Sequence, residues 1–85
     1  MSKVDKLLEK MRRNPRDWRI EDLEILALRF GLEVRKPGGS HAIFFHEGTG
    51  RQLSVPAKRP IKPIYVTAFI ALLDEIEVDD EESEV

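Results

Sequence analysis

The 85-residue chain contains no cysteine, which excludes disulfides and thiolate metal sites and fits a reducing compartment. No apolar run approaches the ~20 residues that a membrane-spanning helix needs, so no membrane partner is expected. No export signal is expected either: Lys3, Asp5, Lys6, Glu9 and Lys10 interrupt the apolar residues between Met1 and Met11, where such a signal has an uncharged core. The expected location is the cytoplasm. Lysine and arginine are absent after Lys62, although 14 lie from Lys3 to Lys62. Carboxylates divide evenly, 8 up to Leu73 and 8 from Asp74 onward, so a body of +6 is followed by a tail of −8. A positive body suits a polyanionic partner, because each neutralised phosphate releases condensed counterions. An ordinary solvated surface is the alternative reading.

What is present is enough for one small domain. A chain of this length buries only about 60% of its unfolded surface, and 41% hydrophobic with 35% charged residues is a globular composition. Val4, Leu7, Leu8 and Met11 have helical spacing, and Asn14-Pro15 ends that helix. A second helix holds Leu23, Ile25, Leu26, Leu28 and Phe30, with Glu21 and Asp22 in its first turn and Gly31 just past its end.

The apolar period then changes from 3.6 to 2. Leu32 to Arg35 reads as a strand, Lys36 to Ser40 as a turn, His41 to His46 as a strand, Glu47 to Gly50 as a turn, and Arg51 to Val55 as a third strand. Pro56, Pro60 and Pro63 stiffen a basic connector, after which Val66, Phe69, Ile70, Leu72, Leu73 and Ile76 return to helical spacing. The expected class is α+β: αβββα with a three-stranded antiparallel sheet, helices on one face and a short extra N-terminal helix. Residues 1–16 form the helical extension, 17–76 the domain, and 77–85 an acidic disordered tail.

Both faces of the central strand carry apolar residues. Phe44 is assigned to the core, which leaves His41, Ile43 and Phe45 on the open face. Exposed Ile43 and Phe45 suit a protein partner, a second copy of the chain in a homodimer, or cover by the N-terminal helix. His41 follows Gly39 and Ser40, which lets backbone approach a phosphate, and histidine with its ordinary pKa of about 6.5 exchanges protons near neutral pH. In RNA cleavage such a group takes the 2′-hydroxyl proton or supplies one to the departing 5′-oxygen. A lone histidine after a turn is also commonly a surface residue. His46 is an odd number of positions away and points to the opposite face, so the pair is not expected to share a metal or an active site. Lys58, Arg59 and Lys62 are the best phosphate-binding candidates, with Arg35, Lys36 and Arg51 extending the footprint. A solvated connector is the bland alternative.

Phe30-Gly31-Leu32-Glu33-Val34, Gly39-Ser40-His41, the Phe44 strand and Leu53-Ser54-Val55-Pro56 with a lysine-containing lead into the last helix occur in an order that resembles the HicA family of toxins, small ribonucleases of toxin–antitoxin pairs. The likeness covers roughly Trp18 to Leu73. It implies a fold like the double-stranded RNA-binding domain and cleavage of mRNA without metal or other cofactor. It also implies His41 as the catalytic residue, with Gly39 and Ser40 beside the RNA, and a HicB-type antitoxin that contacts Ile43 and Phe45. The chain departs from the family pattern at Ala42, at apolar Ile43 and Phe45, and in its first helix and tail. Two other readings stand beside this one: a non-catalytic RNA-binding module of the same fold, and a protein-interaction domain using the open sheet face.

Overall fold

A computed structural model describes the backbone of residues 3–83 and the side chains of residues 3–76. The order is α1 (Lys3–Arg13), α2 (Ile20–Arg29), β1 (Glu33–Arg35), a 3₁₀ turn at Pro37–Gly39, β2 (His41–His46), β3 (Arg51–Pro56) and α3 (Pro63–Ser83). The strands form one antiparallel sheet in the order β1-β2-β3. This is the α+β layout expected from the change of apolar period.

Local chemistry sets the element boundaries. At the start of α2 the Asp22 carboxylate accepts the Arg19 N–H (3.0 Å), which satisfies a donor the helix would leave unpaired. Past its end Gly31 takes a positive φ of 75°, and Leu32 N–H returns to the Ala27 carbonyl at 2.8 Å. Between β1 and β2, Gly38 and Gly39 have φ of 71° and 77°, values that side-chain-bearing residues rarely adopt. The chain can therefore reverse in three residues and start β2 at His41.

The core lies between the sheet and the helices. Phe44 is fully buried and meets Phe69 of α3 edge to face, ring centroids 4.9 Å apart. Ala42, Val55, Leu23, Leu26, Val66 and Leu73 complete the same cluster. Met11 belongs to it as well, because α1 packs against α2 and α3. Residues assigned to an N-terminal extension thus add to the shared core through α2 and α3. Arg12 holds α1 to α3 through a bidentate pair with Asp74, one bond at 2.9 Å.

The acidic residues from 77, expected as a disordered tail, continue the backbone of α3. The α3 backbone is helical to Ser83, because Glu77 to Ser83 holds neither glycine nor proline to stop it and glutamate is a good helix former. Residues 84 and 85, the rest of the expected tail, lie outside the described residues.

Candidate functional site

The pairing register decides which side chains share a face. In β2, Ala42 and Phe44 point to the helices, so His41, Ile43 and Phe45 point away from them. Opposite these three on β3 stand Pro56, Ser54 and Gln52, and on β1 Arg35 faces Ile43 and Glu33 faces Phe45. The open face is therefore a small polar sheet with Ile43 and Phe45, both half-buried, at its centre.

His41 is exposed at one end of this face. Its Nδ1 lies 3.2 Å from Ser40 Oγ, a hydrogen bond whose direction follows the imidazole tautomer. The carbonyl of Ser40 accepts Ala57 N–H at 3.0 Å, which extends the β2–β3 ladder one step and ties the backbone beside His41 to the start of the connector. Across the strand from His41 sits Pro56, and Pro56 is also a wall of a cleft of about 250 Å³ whose other lining residues are Lys58, Arg59, Pro60, Lys62 and Tyr65. Histidine and basic connector, fifteen or more positions apart in the chain, thus meet at one cross-strand pair.

The connector is pinned from beneath. Ile61 is buried and donates its N–H to the Trp18 carbonyl at 2.9 Å, while Trp18 Nε1–H donates to the Asn14 carbonyl at 2.5 Å. The peptide bond between Arg59 and Pro60 is cis. Arg59 donates to Glu21 on α2 at 2.7 Å. Glu21 is held below its ordinary pKa, first by a hydrogen bond from its own backbone N–H at the helix start, then by the Arg59 and Arg19 charges, with desolvation opposing them. Lys58 and Lys62 have no carboxylate partner among the described residues, so the cleft keeps net positive charge.

The structure sorts the remaining candidates. Gly39 and Ser40 lead directly into His41. Arg35 shares the open face one row from His41 and reaches Glu33 on its own strand at 3.4 Å. Lys36 turns to α2 and pairs with Glu24. Arg51 is separated from the site: it pairs in register with His46, on the helix-facing side, and makes an ion pair of 2.9 Å with Glu75 of α3. His46 itself closes the β2–β3 turn, its Nδ1 accepting Thr49 N–H at 3.2 Å and lying 2.9 Å from Thr49 Oγ1. No group of three or more His, Cys, Asp or Glu side chains among the described residues is arranged to hold a metal ion. No helix there is long and apolar enough to cross a membrane.

Tyr65 lies off the apolar stripe that Val66, Phe69 and Leu73 define, so helical spacing alone passes it over. A usable signal was present in the lone tyrosine two positions after Pro63 and three after Lys62, an aromatic adjoining clustered cations. Pro56 was equally hidden, since only the strand register shows what it faces. Searches against family models, curated proteins and solved structures return no match to this chain.

Proposed function

We propose that the chain is a metal-independent endoribonuclease acting on mRNA, of the HicA toxin kind, with a double-stranded RNA-binding-domain-like arrangement as its scaffold. The observation that carries this reading is exposed His41 standing across one strand pair from Pro56, the wall of a cleft that also presents Lys58, Arg59 and Lys62. A phosphodiester bound by those cations has its scissile region beside the imidazole. His41 takes the proton of a ribose 2′-hydroxyl, the 2′-oxygen bonds to phosphorus, and the bond from phosphorus to the 5′-oxygen breaks. The imidazolium returns its proton to the departing oxygen, so no redox partner is required. Each proton transfer of this kind typically contributes about 10²- to 10⁴-fold in rate.

Ile43 and Phe45 support an inhibitor contact on the same strand. Ile43 lies two residues from His41 on one face, a separation of roughly 6.6 Å along the strand. A HicB-type antitoxin covering Ile43 and Phe45 in the cytoplasm also covers the imidazole. The test is cleavage of single-stranded RNA by the purified chain in EDTA. His41→Ala is expected to lower the rate by at least about 10²-fold with an unchanged circular dichroism melt, and a fully active variant would overturn the mechanism. One observation favours a second reading, RNA binding without chemistry: the His41 ring has Ser40 Oγ as its one hydrogen-bond partner among the described residues. That reading expects salt-sensitive binding with the RNA left intact.

A further inference from the structure

We infer that the cleft between the connector and α3 takes one unpaired nucleotide, its base against Tyr65 and its phosphate between Lys58 and Lys62, so that the protein selects single-stranded over duplex RNA. The identity of the polyanion as RNA rests on the ribonuclease reading; the shape and chemistry of the cleft do not.

Three observations carry it. The cleft holds about 250 Å³, below the ~300–1,000 Å³ of a drug-sized ligand site, which suits one ring system. Its lining is mixed in the way a nucleotide requires. Tyr65 is half-buried, packed on the core along part of its ring and lining the cleft with the rest. Pro56 and Pro60 add rigid apolar walls. Lys58 and Lys62 supply cations that no carboxylate among the described residues neutralises. Stacking on an aromatic side chain with cations along the backbone is how unpaired bases are held. A paired base inside a duplex reaches such a recess only by leaving its stack, at an unfavourable cost. The third observation is position: Pro56 is shared between the cleft and the cross-strand pair with His41. A nucleotide seated on Tyr65 therefore delivers the adjoining ribose and phosphate to the imidazole.

The test measures fluorescence anisotropy on the full chain with short 2′-O-methyl RNA, which offers no 2′-hydroxyl for cleavage. Three forms are compared: a non-pairing single strand, the same strand in a blunt duplex, and the single strand with abasic positions. The intact single strand is expected to bind roughly tenfold or more tighter than the duplex, and the abasic strand to bind roughly 5- to 150-fold more weakly than the intact one. Tyr65→Leu should bring the intact strand down to the abasic level, Tyr65→Phe should restore it, and Lys62→Gln should flatten the salt dependence by about 0.7 in the log–log slope. Equal affinity for intact and abasic strands, or a preference for duplex, overturns the proposal; this arm uses the unaltered protein and stands even if Tyr65→Leu fails to fold. Cleavage of an unmodified strand is read separately. Base-dependent binding without cleavage removes the nuclease and leaves the cleft, whereas cleavage that is indifferent to Tyr65→Leu and to abasic positions removes the cleft and leaves the nuclease.

Discussion

Two histidines of one strand meet different fates because alternation sends them to opposite faces. His41 stands on the open face across from Pro56, a wall of the basic cleft, and His46 spends its ring nitrogen on the Thr49 turn. That division was legible in the sequence, since positions 41 and 46 differ by an odd number. The place of Arg51 was not, because it depends on the β2–β3 register, which pairs Arg51 with His46 and sends it to Glu75. Arg51→Gln is accordingly expected to leave RNA affinity within about twofold, whereas Lys62→Gln weakens it; parallel anisotropy titrations distinguish the two. In the core, Phe44→Ala removes a fully buried ring and its contact with Phe69. The expected loss is about 3–5 kcal/mol in urea unfolding, a large part of the ~5–15 kcal/mol that a whole domain has.

Among the elements, α1 shows the limit of reading a helix from its spacing. Val4, Leu7, Leu8 and Met11 announced the helix, but nothing local says which surface it packs against; that depends on α2 and α3, which begin 7 and 50 residues past the end of α1. Met11 has no exposed surface, and Met11→Ala is expected to destabilise by about 2–5 kcal/mol, as measured by the urea midpoint at unchanged slope. The Arg12–Asp74 pair is a smaller contribution and has a pH signature. Hydrogen bonds from Arg12 are the largest cause holding the Asp74 carboxyl below its ordinary pKa, with the Arg12 charge adding to them and desolvation opposing. A lowered folded-state pKa means the contribution is complete above the unfolded value of about 3.9 and is lost as pH falls through the folded one. Both side chains are nearly half exposed, so the pair is worth at most about 1 kcal/mol. Asp74→Asn is expected to lower Tm slightly at neutral pH, and the gap to the unaltered protein should close on acidification below the ordinary carboxylate range.

For the molecule as a whole, the charge division of the sequence acquires a boundary from the fold. Asp74 pairs with Arg12, Glu75 pairs with Arg51 and Ile76 is buried, so these residues belong to the folded body and a truncation that removes them damages it. Deleting residues from 77 onward removes six carboxylates and takes the net charge from −2 to +4. Association with RNA should then be faster at low salt, and the advantage should fade near 1 M, where screening acts within about 3 Å; an unchanged rate at low salt would show that the acidic end does not oppose RNA. The element order and the charge division were readable from the sequence. The meeting of His41 with the connector was not, because it is created by pairing between β2 and β3.

The core described above also sets an order of events during synthesis. Val66, Phe69, Ile70, Leu72, Leu73 and Ile76, all on α3, provide much of what α1, α2 and the sheet pack against. A ribosome that has made both hairpins has already produced His41, yet Phe44 still lacks the ring it rests on and Arg12 still lacks Asp74. The nascent polypeptide consequently gains its imidazole and its cations well before it gains the rigid frame that aims them.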